Sequence, residues 1–532
     1  MNEQLEMQEH EASWLEGFWD EMYLNIRDRL PINVNPYFTL KGQWKGRDVN
    51  DTASQLVGAI AKFNKAIRSR LLTPDMEGST PLCMSQYSKL FGGTRFPKAK
   101  RDIFSSNRYS RHIIVMRRGQ MFSLTVENEQ QQLIDPSVLN LQLDKICEVV
   151  DQLSNKPAVG YFTCSDREEW AQNYAELEAL SERNSANLNM IAGALAVLNL
   201  DEIECESLQT HSTTLFHNRG ENRWFDKLQL AISSDGFVGF NMEHTPIDGH
   251  TLVRLAADVH ADLSGSKPYP TSKLLERTNS LEGVPLPAHL EFDLDTSLHE
   301  KLEKAKSDFE AFADLTESIP LIEGVGKRFV KLSGSSPDSF IQMAIQLAHF
   351  KESGRFDSTY ESALTKRFLH GRTETIRSVS EASKAYCNGF SLDNLPQSGA
   401  LLLEACGKHA QTAKAAKSGF GVDRHLFGLY SLAKQEKEDN ADFKIPSIFT
   451  SPYYSRYGSN IISTSNCGSE DIGLFGFGPV HPDGVGIGYL ILDDSTRLTV
   501  STTNGKGASF AKTLSEAINL QCRAIRASQE LK

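Results

Sequence analysis

No stretch of this 532-residue sequence is apolar for long enough to cross a membrane, which takes about 20 consecutive residues. Basic charge is in short supply: 56 Lys and Arg stand against 68 Asp and Glu, a formal net charge of −12. Bulk nucleic-acid binding needs a positive surface and is excluded, while a local basic pocket for a small phosphorylated ligand is not. The eight cysteines are scattered and form no Cys-x-x-Cys pair. A disulfide framework or a zinc site would cluster them, so reduced and mostly buried thiols in a cytosolic protein are expected. Internal repeats and low-complexity tracts are missing, which argues against solenoids and propellers. The first thirty residues are acidic and aromatic, unlike a signal or transit peptide. The last three, Glu530-Leu531-Lys532, differ from the Ser-Lys-Leu type of peroxisomal address, so a cytoplasmic location is the expectation. The P-loop, a strand-to-helix G-x-G-x-x-G, His-Glu-x-x-His and G-x-S-x-G are all absent.

What remains is the composition of an ordered protein, 40% hydrophobic and 23% charged, with alternating helix and strand patterns. Asp51 to Leu72 carries Leu56, Val57, Ile60, Phe63 and Ile67 at helical spacing. His112 to Val126 and Leu228 to Met242 each read as two strands around a turn. Ser336-Pro337 predicts an N-cap with proline at the first helical position, opening a helix over 336–350. Short strands near residues 461, 487 and 498 precede a final helix over about 509–528. Turn formers cluster between 264 and 292, which predicts two α/β domains with mixed sheets, residues 1–290 and 291–532. Gly476, Gly478, Gly484, Gly486 and Gly488 crowd one stretch with no following helix, as strand and turn glycines do.

The segment carrying most chemistry is Asn241-Met-Glu-His244-Thr-Pro-Ile-Asp248-Gly249, at the exit of a predicted strand. Histidine moves protons near neutral pH, and a carboxylate four residues on either orients its ring or braces the loop through an ion pair. Alone, the pattern is short and common, and a half-buried turn histidine accounts for it more often than a catalytic base.

Its surroundings change that balance. Asn222-Arg-Trp-Phe-Asp-Lys227, Glu243 to Gly249, Ser336-Pro-Asp-Ser-Phe-Ile-Gln-Met343, Tyr360-Glu-Ser-Ala363 and Gly371-Arg-Thr-Glu-Thr-Ile-Arg377 stand in order along the chain. Asp423-Arg-His-Leu426, Ser463-Thr-Ser465, Phe477-Gly-Pro-Val480 and Pro482-Asp-Gly-Val-Gly486 follow. Together they resemble the carnitine/choline acyltransferase family over roughly residues 13 to 522. The resemblance implies two similar chloramphenicol-acetyltransferase-like domains, each a mixed β-sheet covered by helices. The reaction it implies joins acyl-CoA and an alcohol into an ester and free CoA thiol. His244 takes the place of the base, Asp248 that of its acidic partner and Ser465 that of the oxyanion donor. Tyr360, Thr373, Arg424, Ser463, Thr464 and Phe477 fall where the family binds carnitine, and Lys327, Lys331 and Asp338 where it binds CoA. Arg424 stands where choline enzymes carry a neutral residue. Phe475 sits where a small residue would open a tunnel for longer acyl chains, so acetyl and other short chains are expected.

No metal and no tightly bound cofactor are implied; CoA is a co-substrate, the partners are small molecules, and a monomer is expected. The alternatives are a medium-chain carnitine enzyme, a choline acetyltransferase and a non-catalytic acyl-CoA-binding relative.

Overall fold

Arg118 and Gly119 both take positive φ, 49° and 70°. That geometry turns the chain tightly between β2 (His112–Arg117) and β3 (Gln120–Thr125), which pair antiparallel with Arg117 opposite Gln120. This hairpin belongs to the first of two units in a computed structural model that describes residues 12–42, 47–153, 157–270 and 272–529. The tripeptide Glu530-Leu531-Lys532 lies outside the described residues.

The first unit comprises Asp20–Asp314 and Ser469–Gly473. Its main sheet adds β1 (Tyr37–Leu40), β4 (Val197–Leu200), β5 (Gln229–Ile232), β6 (Val238–Asn241) and β7 (Ala288–His289), in the order β7-β3-β2-β4-β5-β6-β1. The segment Ser469–Gly473 starts the eighth strand, where Lys41 N–H donates to the Asp471 carbonyl at 2.8 Å. Helix α1 (Val49–Arg68) is capped by Asp48, α2 spans Pro136–Gln152, α3 spans Arg167–Leu180 and α4 spans Gly249–Leu263. Helix α5 (Thr296–Asp314) buries Leu298, Leu302, Ala305 and Phe309 in one cluster with Ile114, Met116, Val197, Ala231, Trp170 and Leu177. That buried face ties residues 296–314 to the first unit, so the division falls between Asp314 and Leu315, later than the turn-rich stretch at 264–292.

The second unit comprises the described residues up to Trp19, Leu315–Gly468 and the residues from Leu474 onward. Its sheet contains β8 (Glu317–Glu323), β9 (Thr359–Leu364), β10 (Thr373–Ile376), β11 (Ile462–Asn466), β12 (Val485–Ile491) and β13 (Thr496–Thr502), in the order β8-β13-β12-β11-β9-β10. Covering it are α6 (Lys327–Leu332), α7 (Pro337–Ser353), α8 (Leu395–Ala415), α9 (Asp423–Asp439) and α10 (Gly507–Gln529). Phe340, Met343 and Leu347 of α7, Leu402 of α8 and Leu514 and Ile518 of α10 meet Ile462, Ile487 and Val500 of the sheet.

The two sheets share one topology. In each, the first strand lies beside the sixth, the second and third form an antiparallel pair, and the fourth runs parallel to the second and the fifth; the first unit's sheet extends beyond this set by β7 and by the eighth strand beside β1. The protein is therefore mixed α/β, as its alternating helix and strand patterns predict.

Candidate active site

His244 stands on the loop between β6 and α4, seven buried or half-buried residues that the sheet presents at the end of a strand. Its Nδ1 lies 2.8 Å from the carbonyl oxygen of Ile247. A carbonyl can only accept, so Nδ1 carries the proton and the lone pair is on Nε2. The ring is therefore in the tautomer a general base requires, and a backbone group sets it. Tyr23 packs against the ring with centroids 5.3 Å apart.

Asp248 braces the loop. It occupies the N-cap of α4 with no side-chain capping bond, and its Oδ2 accepts from Gln86 Nε2 at 2.7 Å. Gln86 Oε1 in turn accepts from the Asp248 N–H at 2.9 Å and from the Thr251 hydroxyl at 2.7 Å. Gln86 thus holds both sides of the turn, a role that its place 158 residues upstream of His244 gave no reason to suspect.

Behind the loop lies an ionic lattice with almost no exposure. Asp102 Oδ2 takes 2.7 Å bonds from Nε of both Arg95 and Arg167, and Arg167 reaches Asp226 at 2.6 Å, which also accepts from Trp170 Nε1. Burial alone would raise the Asp102 carboxyl, but Arg167 and Arg95 outweigh it and hold the group below its ordinary value. Arg95 Nη1 also bonds the Thr245 hydroxyl at 3.2 Å and stands 3.7 Å from Glu243 Oε1, so the residues on either side of His244 are fixed to this lattice. Lys227, wholly buried, donates to the carbonyls of Gly93 and Ala192 and to Thr94 Oγ1; burial lowers its amine to about 7.

The second unit collects the residues expected to read a carboxylate. Arg424, in the first turn of α9, donates from Nη2 to Tyr360 OH (3.0 Å) and Thr373 Oγ1 (3.2 Å) and from Nε to the Thr373 carbonyl (2.8 Å). Nη1 reaches Thr375 Oγ1 at 3.2 Å, and the guanidinium lies 4.2 Å from the centre of the Trp19 ring. All these side-chain partners are neutral. Among the described residues no carboxylate is in salt-bridge contact with the guanidinium; Glu374 is bonded to the Arg424 backbone N–H instead (3.3 and 3.4 Å) and feels its charge, which leaves the guanidinium without a direct carboxylate ligand. Thr375 and Trp19 were not singled out from the sequence; Thr375 follows from β10 alternation once Thr373 is placed, while Trp19 had no local signal.

Strand alternation sorts the Ser-Thr-Ser triplet. Ser463 pairs with Tyr360 and with Gly486 across the parallel ladders, and Ser465 pairs with Gly488. Ser463 and Ser465 therefore share the face of Tyr360, and Ser362 Oγ lies 2.9 Å from Ser465 Oγ. Thr464 points the other way. It is fully buried, takes a 2.8 Å bond from Gln342 Nε2 of α7 and donates to the Tyr360 carbonyl at 3.0 Å. The pleat thus removes Thr464 from the carnitine ligands expected above and adds Ser362 to the shared face.

The same face explains the clustered glycines. A Cβ on Gly488 would stand 2.3 Å from the Phe475 carbonyl oxygen, and one on Gly486 would stand 2.6 Å from that of Phe477. Only glycine lets the segment Phe475–Gly478 run this close to β12, beside the two serines. Phe475 is 4% exposed, and its ring centre lies 5.6 Å from that of the half-buried Phe477.

Lys327 and Lys331 sit one turn apart on α6, and neither ammonium has an acidic partner among the described residues; neighbouring Arg328 pairs with Asp493 and Asp494. Asp338, expected to contact CoA, is turned to Tyr489 OH (2.8 Å) and Asn466 Nδ2 (3.0 Å) and bonds Glu361.

The chain matches the family model described as choline/carnitine O-acyltransferase over residues 1–518. It is 32% identical over 96% of its length to a Saccharomyces cerevisiae protein named "Putative mitochondrial carnitine O-acetyltransferase", covering 83% of that protein. It is 31% identical to the mouse mitochondrial carnitine O-palmitoyltransferase 2, over 94% of this chain and 80% of the other. Zebrafish choline O-acetyltransferase is 29% identical over 94% and 80%.

Proposed function

We propose that this chain, which belongs to the choline/carnitine O-acyltransferase family, moves a short acyl group, acetyl above all, between CoA and the hydroxyl of carnitine. The observation that carries the choice of alcohol is Arg424: a half-buried guanidinium, held by Tyr360, Thr373 and Thr375, with no carboxylate in salt-bridge contact among the described residues. Carnitine has a carboxylate for it and choline has none. Phe477 offers an aromatic face of the kind that attracts a trimethylammonium group. Lys327 and Lys331, with no acidic partner among the described residues, supply positive charge for a phosphate of CoA.

In this reading the Nε2 lone pair of His244 takes the proton of the carnitine hydroxyl as that oxygen attacks the thioester carbonyl. The tetrahedral oxyanion accepts a hydrogen bond from Ser465, and its collapse breaks the carbon–sulfur bond. The departing thiolate recovers the proton from His244, leaving O-acylcarnitine and CoA thiol. No acyl-enzyme is required. Buried Phe475 supports short acyl chains, because its ring occupies space beside Ser463 and Ser465 that a longer chain would fill.

The test is thiol release from acetyl-, octanoyl- and palmitoyl-CoA with carnitine, with choline and with no acceptor. Release that depends on carnitine and is fastest from acetyl-CoA is expected. A preference for choline removes the role of Arg424, and a preference for palmitoyl-CoA removes that of Phe475.

A further inference from the structure

Strand β9 alternates along its length. Tyr360, Ser362 and Leu364 are half-buried, while Thr359, Glu361 and Ala363 are buried beneath the helices. Glu361 is thus an acid in a position where the pleat calls for an apolar side chain, and it is 2% exposed. Its Oε2 lies 2.7 Å from Nε2 of His409 on α8, and His409 Nδ1 lies 2.9 Å from the Ser339 hydroxyl on α7. Glu361 also bonds Asp338, one residue before Ser339, so that one atom from each of Asp338, Glu361 and His409 falls within 4.8 Å of the others.

Proton counting narrows this arrangement. Two carboxylates in hydrogen-bond contact hold one proton between them. Asp338 already accepts from Tyr489 OH and Asn466 Nδ2, and it sits in the first turn of α7, where the helix dipole favours a negative charge. The proton therefore belongs to Glu361. With Ser339 donating to Nδ1, His409 is neutral and donates from Nε2 to Glu361, which donates to ionised Asp338. Burial acts in the same direction, holding Glu361 well above its ordinary value. The groups facing Glu361 are Asp338 and Ser339 from α7, His409 from α8, Tyr489 from β12, Ser378 after β10, and Lys417 after α8, whose charge opposes the shift.

We propose that Glu361 is kept as a neutral carboxylic acid and that, with His409, it is a positioning pair for Tyr360 and Ser362, its neighbours on the opposite face of β9. Glu361 is contacted from both helices, by Asp338 of α7 and His409 of α8, so a shift of the strand weakens a contact on one side or the other. Two further residues of α7 extend the device: Gln342 holds Thr464 of β11, and Gln346 donates to Thr359 Oγ1 at 3.0 Å. Asp338, Gln342 and Gln346 stand four residues apart, a polar ridge facing the sheet. The strands bearing Tyr360, Ser362, Ser463 and Ser465 are thereby held by directional bonds, which fix position more closely than apolar contact does.

The positioning half of this proposal rests on the carnitine reading; the protonation half does not. In wild type, infrared spectroscopy is expected to show the carbonyl stretch of a protonated carboxylic acid that persists into alkaline solution and is missing in Glu361→Gln. Kinetically, Glu361→Gln supplies an amide N–H for Asp338 and a carbonyl for His409, so kcat and the carnitine KM stay near wild type. Glu361→Asp cannot span both partners and is expected to raise the carnitine KM about ten-fold or more, leaving the acetyl-CoA KM unchanged. A wild-type spectrum indistinguishable from that of Glu361→Gln overturns the neutral acid, even if Glu361→Asp does not fold. A Gln variant as damaged as the Asp variant overturns the positioning role. If wild type itself shows no carnitine-dependent thiol release, the carnitine reading fails while the spectrum still decides the state of Glu361.

Discussion

Replacing Arg424 by glutamine separates recognition of carnitine from the integrity of the site. In the structure the guanidinium makes four hydrogen bonds to neutral oxygens of Tyr360, Thr373 and Thr375 and stacks at 4.2 Å on Trp19. Those contacts serve the local fold, and their loss should weigh equally on any acceptor alcohol. The carboxylate of carnitine is the additional partner. A hydrogen bond to a charged group contributes about 1.5–3 kcal/mol, against about 0.5–1.5 kcal/mol for the neutral bond a glutamine could still make. The side chain is half-buried and its N–H groups are shared, so the lower part of the charged range applies, and subtracting a neutral bond of about 1 kcal/mol leaves a net loss of about 0.5–1 kcal/mol. Since about 1.4 kcal/mol is a factor of ten, the carnitine KM should rise roughly two- to five-fold. Choline has no carboxylate to lose, so its slow acetylation should be unchanged or faster. The assay is acetyl transfer to both acceptors at fixed acetyl-CoA, with near-ultraviolet circular dichroism to confirm packing around Trp19. Equal losses for carnitine and choline would make Arg424 a structural brace of β10 and refute its role as a carboxylate reader.

Three further outcomes are expected. His244→Ala should lower turnover about 10²–10⁴-fold while calorimetric binding of CoA and carnitine is retained, because the base is removed and the Gln86–Asp248 brace is not; turnover near wild type would place the proton transfer elsewhere. Phe475→Gly should raise the use of octanoyl-CoA relative to acetyl-CoA, at about 0.8 kcal/mol per methylene housed, and lower stability by about 3–5 kcal/mol as for other buried aromatic truncations; an unchanged chain-length profile would show that the ring does not face the acyl chain. Burial holds His211 at about 4 and His217 at about 3, against an ordinary 6.5. Between those values and 6.5 the unfolded chain binds protons that the native chain does not, so stability rises with pH across that window and is lost on acidification. Unfolding free energies from denaturant titrations at pH 7 and pH 4.5 should differ by several kcal/mol on the same linkage, and substituting both histidines with Gln should flatten the dependence.

The sequence by itself determined the elements and the chemistry of single positions. Local rules sufficed for the hairpin at Arg118-Gly119, for the helix opened by Ser336-Pro337 and for placing His244 at the exit of β6, because turn geometry, capping and strand alternation act over a few residues; only the family motifs singled that histidine out as a candidate base. The family motifs also led to Tyr360, Thr373 and Arg424, which the structure joins directly. Only the tertiary structure decided which neighbours those residues keep. It assigned Thr464 to the helices and Ser362 to the open face, a consequence of how β11 pairs with β9. It gave Asp248 to Gln86 and the His244 ring to a backbone carbonyl. It placed Trp19 on Arg424 across some four hundred residues of chain and enclosed Glu361 with Asp338 and His409. These contacts bridge long separations and depend on which side of a pleat or helix each residue presents. Their energies come from burial and charge in a low-dielectric interior, which exist only once the chain has packed.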